Sequence, residues 1–325
     1  MAQREVHGVP QVGLTLIELL LALLLGAVLS LGVTQLFVRG KISYLQDEEM
    51  ARLQENGRYA LRYLTREMNM AGYLANVLWA GNVASAPGGT ACFDHLIDTR
   101  RPIEFYNDVT ENGPRETGLS TLPDDCLAHG SYAAGTDMLL VRRTLDSPSV
   151  RRGNVIAPMD PNTIYLRSET YPALVSLVKG GGRVLPAADI WEYFPQLLFL
   201  RNYSIERKDG VPALCRVRLA PRGNRLARTE CLVEGIEDMQ FEFGIDDDGD
   251  QQADRFESAP SPQDMHSAMV AHIFLLVRSI RPIHGYSNDK HYSLGSKLLA
   301  PANDGFYRLV VQTSVMLRNS PAYKP

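Results

Sequence analysis

The carboxylates Asp246, Asp248, Asp250, Asp254 and Glu257 are spaced D-x-D-x-D-x-x-x-D-x-x-E. Counted from Asp246 they fall at positions 1, 3, 5, 9 and 12, the order in which a calcium loop presents hard oxygen ligands around a tight turn. Gln251 stands at position 6, where that loop carries glycine, and Gly249 stands at position 4. The alternating run Ile236–Ile245 reads as a strand, so a calcium loop here would lie outside a helix-loop-helix pair. The same residues also read as a solvated acidic turn, because Asp-Gly is a common turn dipeptide. Both readings stay open on sequence, and calcium is the one cofactor it suggests.

Other chemistry is sparse. His266, His272, His284 and His291 are spread without metal-ligand spacing and read as surface or satisfied core residues. No G-x-S-x-G elbow, phosphate-binding Gly-Lys loop or G-x-G-x-x-G occurs, and the chain is not expected to be an enzyme. A formal net charge of −4 and a pI near 6.0 give no basic excess, so no nucleic-acid partner is expected. Arg142-Arg143 and Arg151-Arg152 read as short basic pairs that solvate a face. Cys92, Cys126, Cys215 and Cys231 allow three pairings if their part of the chain is exported. Cys92–Cys126 and Cys215–Cys231 are favoured, since each closes a local loop. None of the four forms a C-x-x-C, which argues against zinc and thiol-redox sites.

The longest apolar element lies near the N-terminus. From Leu14 to Val38 the one ionisable side chain is Glu18. Roughly 20 apolar residues suffice to cross the hydrocarbon core as a helix, and a carboxylate inside such a run costs on the order of 2.5–3.5 kcal/mol. The run is too long for a secretory signal peptide, and no small-residue cleavage site closes it. Beyond it, Ile42, Leu45, Leu53, Gly57, Ala60, Leu64, Met68 and Ala71 recur at three-to-four spacing, which predicts an amphipathic helix. No proline interrupts the chain between Pro10 and Pro87, and Gly72 is placed to stop the helix.

The residues Gly13-Leu14-Thr15-Leu16-Ile17-Glu18 resemble the processing site of type IV prepilins and type II secretion pseudopilins, with Leu14 where the family usually has Phe. The resemblance implies that a prepilin peptidase cuts after Gly13 and methylates the new N-terminus at Leu14, leaving Glu18 fifth in the mature chain. An ammonium and a carboxylate paired inside a filament would offset part of each other's desolvation. The run Leu53-Gln54-Glu55-Asn56-Gly57-Arg58, continued through Met70-Ala71-Gly72-Tyr73, is similar to the N-terminal helix of PilW-type minor pilins. That likeness implies a structural subunit that helps prime type IV pilus assembly and sits at the pilus tip. Its expected partners are other minor pilins, the major pilin, a tip adhesin, the prepilin peptidase and the inner membrane. The chain would cross that membrane once, with its C-terminal domain in the periplasm, and be extracellular when built into pili. Arg39 and Lys41 run against the positive-inside rule, so this orientation comes from the resemblance. A type II secretion pseudopilin is the alternative in the same superfamily. From another class, the alternative is a membrane-anchored periplasmic enzyme or calcium-dependent binding protein.

The expected division is a leader (1–13), a transmembrane segment (14–38), an amphipathic helix half (39–73) and a periplasmic pilin-like domain (74–325). Residues 74–135 read as an irregular, disulfide-tied insertion and 145–190 as loop-rich, with a turn at Gly180-Gly181-Gly182. Strands are expected over 138–144, 196–205, 213–219, 226–233, 236–245, 269–280 and 307–317. Pro221-Arg222-Gly223-Asn224 would turn a hairpin across which Cys215 faces Cys231. The fold class is α+β, one long helix packed across one antiparallel sheet.

Overall fold

A computed structural model describes residues 13, 15–75, 89–110, 122–128, 130–170, 173–181, 187–220 and 225–319. The leader up to residue 12, Leu14, Gly182 and the expected turn at 221–224 lie outside them. The chain divides into two compact units, Met1–Glu49 and Met50–Pro325. Helix α1, Leu16–Met70, is continuous through the boundary.

In the first unit every large apolar side chain from Leu16 to Val38 is exposed. Among the described residues, α1 is the one helix long and apolar enough to cross a membrane. The two hydroxyls between Leu16 and Val38 return to the backbone, Ser30 Oγ to Gly26 O and Thr34 Oγ1 to Ser30 O, both at 2.8 Å. Each of these hydroxyls thus finds its acceptor one turn back within the helix itself.

In the second unit α1 buries Leu53, Ala60, Leu64 and Met68, with Ala71 buried just past its end; of the expected stripe, Ile42 is only half-buried and Leu45 is exposed. Gly57 reads in isolation as a weak point, yet its missing side chain lets α1 seat closely. A Cβ there would lie 3.0 Å from Val277 and 3.3 Å from Val311. Gly72 ends the helix at φ +75°, and its N–H donates to Arg142 O.

Among the described residues the strands form three larger antiparallel sheets rather than one. The first runs β1 (Ile103–Tyr106), β2 (Met138–Val141), β8 (Gln196–Arg201), β9 (Ala213–Arg218) and β10 (Glu230–Glu234). The second runs β12 (Arg255–Glu257), β11 (Ile236–Ile245), β13 (Ala268–Arg278) and β16 (Arg308–Met316). The third runs β4 (Asn154–Val155), β3 (Thr144–Arg151), β7 (Ala188–Tyr193), β5 (Ile164–Thr170) and β6 (Ala173–Lys179), and β14 (Tyr292–Leu294) pairs with β15 (Lys297–Leu299). The short helices α2 (Ala91–Leu96) and α3 (Pro262–His266) complete the described elements.

One core joins α1 to the first two sheets, through Leu139, Val141, Leu198, Met239, Phe241, Ile273 and Val277 among others. The opposite face of the first sheet is covered as well. Cys92 and Leu96 of α2 pack there with Leu140, Leu197, Phe199 and Cys215. Burial on both faces is why Met-Leu-Leu-Val and Leu-Leu-Phe-Leu are continuously apolar instead of alternating. The third sheet occupies residues expected to be loop. Its strand β3 carries Pro148 at a register shift against β7, where a bulge tolerates the missing N–H.

Candidate functional site

Thr15 and Glu18 close a reciprocal cap at the start of α1. The Thr15 N–H donates to Glu18 Oε2 at 2.9 Å, and the Glu18 N–H donates to Thr15 Oγ1 at 3.3 Å. This is a capping box, with the carboxylate also placed at the positive end of the helix. In the sequence this is T-x-x-E before an apolar run, and it shares its residues with the prepilin-like motif Gly13–Glu18. Gly13 is exposed just ahead of the cap, with no atom within 4 Å of the place a Cβ would take. Chemically, the segment presents one oriented carboxylate at the tip of an apolar helix.

In the second unit the helix is fixed by buried charge. Glu67 receives a two-pronged ion pair from Arg143, at 2.7 and 3.0 Å, with both side chains almost wholly buried. Arg142 is buried too, paired with Glu104 at 3.0 Å. It also donates to the carbonyls of His95, Leu96 and Arg101, which satisfies the last turn of α2. The expectation that Arg142 and Arg143 solvate a face is thus overturned; each is a buried cation with a carboxylate partner, as burial demands. Tyr63 donates to Gln196 Oε1 at 2.7 Å and accepts from Arg216 at 2.8 Å. Burial pushes its phenol above the ordinary range. Asn56 donates to Glu234 O, and Asn319 donates to the carbonyls of Asn69 and Ala71.

Both disulfides are formed, Cys92–Cys126 and Cys215–Cys231, and no cysteine is free. Cys215 and Cys231 are direct cross-strand partners of β9 and β10. Expected strand 226–233 begins later than predicted, since Leu226 makes only an isolated bridge to Leu219.

The acidic loop gathers three of its five proposed ligands. Oxygens of Asp246, Asp248 and Asp254 lie within 4.8 Å of one another, and Asp250 and Glu257 stand outside that group. Glu257 takes Arg255 at 2.9 Å. Within the loop the carboxylates accept backbone donors. Asp246 accepts from Gly249 and Gln251, Asp248 from Asp250, Asp250 from Gln252, and Asp254 from Asp247. Gln251 adopts φ +69° at the position where a calcium loop has glycine. Of the histidines, His272 stacks on Phe256 with ring centroids 4.3 Å apart.

The strands that complete the core, β9 to β16, fall in the region that comparison identifies. Residues 202–319 match the type IV pilus-assembly protein W family. No curated protein and no solved structure matches the chain. The PilW match lies in the C-terminal half, whereas the helix motif resembling PilW-type pilins lies before residue 74. Two separate parts of the chain therefore point to one family, and the match supports a role in type IV pilus assembly.

Proposed function

We propose that this chain is a minor pilin that helps prime type IV pilus assembly and takes a place at the pilus tip. The observation that carries the reading is the PilW family match on residues 202–319. The capped apolar helix with Glu18 in its first turn supports it. In this reading the prepilin peptidase cuts after Gly13 and methylates Leu14, and the apolar half of α1 holds the chain in the inner membrane with residues 74–325 in the periplasm. On extraction, the Glu18 carboxylate meets the N-terminal ammonium of a neighbouring subunit, and the pair offsets the desolvation that either charge bears alone. The other minor pilins, the major pilin and a tip adhesin are the partners. The test is deletion of the gene followed by counts of surface pili and a twitching assay. Loss of both, restored by the wild-type chain, is expected; normal piliation with impaired protein secretion would move the chain to the pseudopilins.

A further inference from the structure

Strand β16 forms one edge of its sheet. Its register pairs Met316 with Val270 and Leu309 with Val277 without a shift. Leu317 N donates to Met269 O, and Ser279 N donates to Tyr307 O. Hydrogen-bonded and non-bonded pairs alternate along an antiparallel ladder. The odd-numbered residues of β16 therefore spend their N–H and C=O groups on β13. Val310, Gln312, Ser314 and Met316 turn theirs to the open side, where no described residue bonds them. Such an edge is a template for another strand.

A groove of about 840 Å3 runs between this edge and α1, lined by Arg58, Leu61, Arg62, Arg66, Gln312 and Thr313 among others. The three arginines are exposed and recur every fourth residue, so they share one face of the helix. Arg66 reaches Asp146 only at 3.9 Å, with both side chains largely in solvent; among the described residues Arg58 and Arg62 have no carboxylate partner. Helix and strand run alongside each other in the same direction. Gly57 lies against Val311, and Asn69 and Ala71 are bonded by Asn319. Four helical residues advance about 6 Å, and two strand residues advance about 6.6 Å. A strand laid on β16 would thus bring every second side chain level with the next arginine.

We propose that this groove receives an extended acidic segment of another polypeptide, added as a strand to β16 with carboxylates at alternate positions on Arg58, Arg62 and Arg66. Main-chain bonds to Gln312 and Ser314 would supply the docking, and the arginine row the choice of partner. The groove would act this way in any assembly, so the inference does not require the pilus reading.

The experiment uses the full chain in detergent and a fluorescein-labelled peptide of four Val-Glu repeats, with four Val-Lys repeats as the opposite charge. Anisotropy reads binding to the wild type, Gln312→Pro and Arg62→Glu. Proline at 312 removes an outward N–H and spares the bonds to β13, which an edge strand tolerates. The Val-Glu peptide is expected to bind the wild type, to lose about tenfold or more in affinity in either variant, and to outbind the Val-Lys peptide. Arg62→Glu alters no strand, so its loss of binding reads the groove even if Gln312→Pro lowers stability. Absence of Val-Glu binding to the wild type overturns the proposal, as does equal binding of the two peptides. Undiminished binding to a folded Gln312→Pro chain reduces the contact to charge and overturns strand addition. A wild-type dimer in sedimentation that Gln312→Pro dissolves would assign the edge to a second copy of this chain instead.

Discussion

At the scale of single residues, Glu18 closes a cap with Thr15, and in the proposed function it has a second, separable duty, meeting a partner's ammonium. Thr15→Val removes the cap and keeps the carboxylate, at about 0.5–2 kcal/mol of local helix stability. Glu18→Leu removes the carboxylate and the bond it accepts from the Thr15 N–H, while the backbone N–H at position 18 still donates to Thr15 Oγ1. If the ammonium pairing governs assembly, Glu18→Leu lowers incorporation into complexes with other minor pilins far more than Thr15→Val, while membrane insertion and peptidase cleavage persist in both. Fractionation with pull-down of the minor pilins reads the difference, and equal recovery of Glu18→Leu and wild type would leave the helix as an anchor only. Glu67 and Arg143 are a different case, because neither can reach water. Glu67→Ala strands a buried guanidinium and should cost about 3–5 kcal/mol in urea unfolding, whereas Glu67→Leu with Arg143→Met together should recover most of it. This pair was not legible in sequence. Glu67 looks like one more charge on an amphipathic helix, and Arg143 like half of a surface pair. Asp209 gives a pH readout. Desolvation opposes its charge, but the N–H groups of Val211, Ile205, Glu206 and Ser204 hold its carboxyl at about 2. Since this folded value is depressed below about 3.9, its contribution is complete above that pH and is lost as pH falls from there through about 2. Amide protection at residues 204–206 should fade over that window, and Asp209→Ala should lack it at neutral pH.

At the scale of elements, the sequence was most readable where one periodicity dominated. The stripe Leu53, Ala60, Leu64, Met68 on α1 and the strand Ile236–Ile245 are where spacing places them. Even so, β11 is not half-buried. Asp238 and Gln240 on its other face are covered as well, because the segment ahead of β2 lies against it, with Asp137 accepting the Phe241 N–H. Burial pushes the Asp137 carboxyl well above its ordinary range, a consequence of tertiary packing that no local pattern announces. The third sheet escaped reading for a related reason. Thr-Leu-Asp-Ser-Pro-Ser-Val-Arg is polar and holds a proline, and only pairing with β7 makes it a strand. The disulfides act at this scale by closing loops of 34 and 16 residues in sequence. In the chain-entropy account each contributes about 3–4 kcal/mol. Replacing Cys215 and Cys231 together by serine should lower unfolding stability by about that amount, and thiols of the native chain should resist alkylation until a reductant is added. The acidic loop was legible as a spacing but not as a shape, since Glu257 is drawn to Arg255 and three carboxylates alone converge.

At the scale of the whole molecule, two distant parts of the chain point to one family, the helix motif before residue 74 by resemblance and residues 202–319 by a match to the type IV pilus-assembly protein W model. Between them lies a third sheet and a disulfide-tied segment to which neither applies. The α+β class was readable because one long proline-free segment precedes many short β-rich runs. The number of sheets was not, because that depends on which strands pair across tens of residues. The account as a whole stands on the chain being a processed pilin subunit, and its N-terminus tests that most directly. Mass spectrometry of the protein recovered from cells with an active prepilin peptidase should find a chain that begins at Leu14, methylated on its amino group, and a Gly13→Ala chain that keeps its leader. A mature protein that still carries residues 1–12 in those cells would contradict the account.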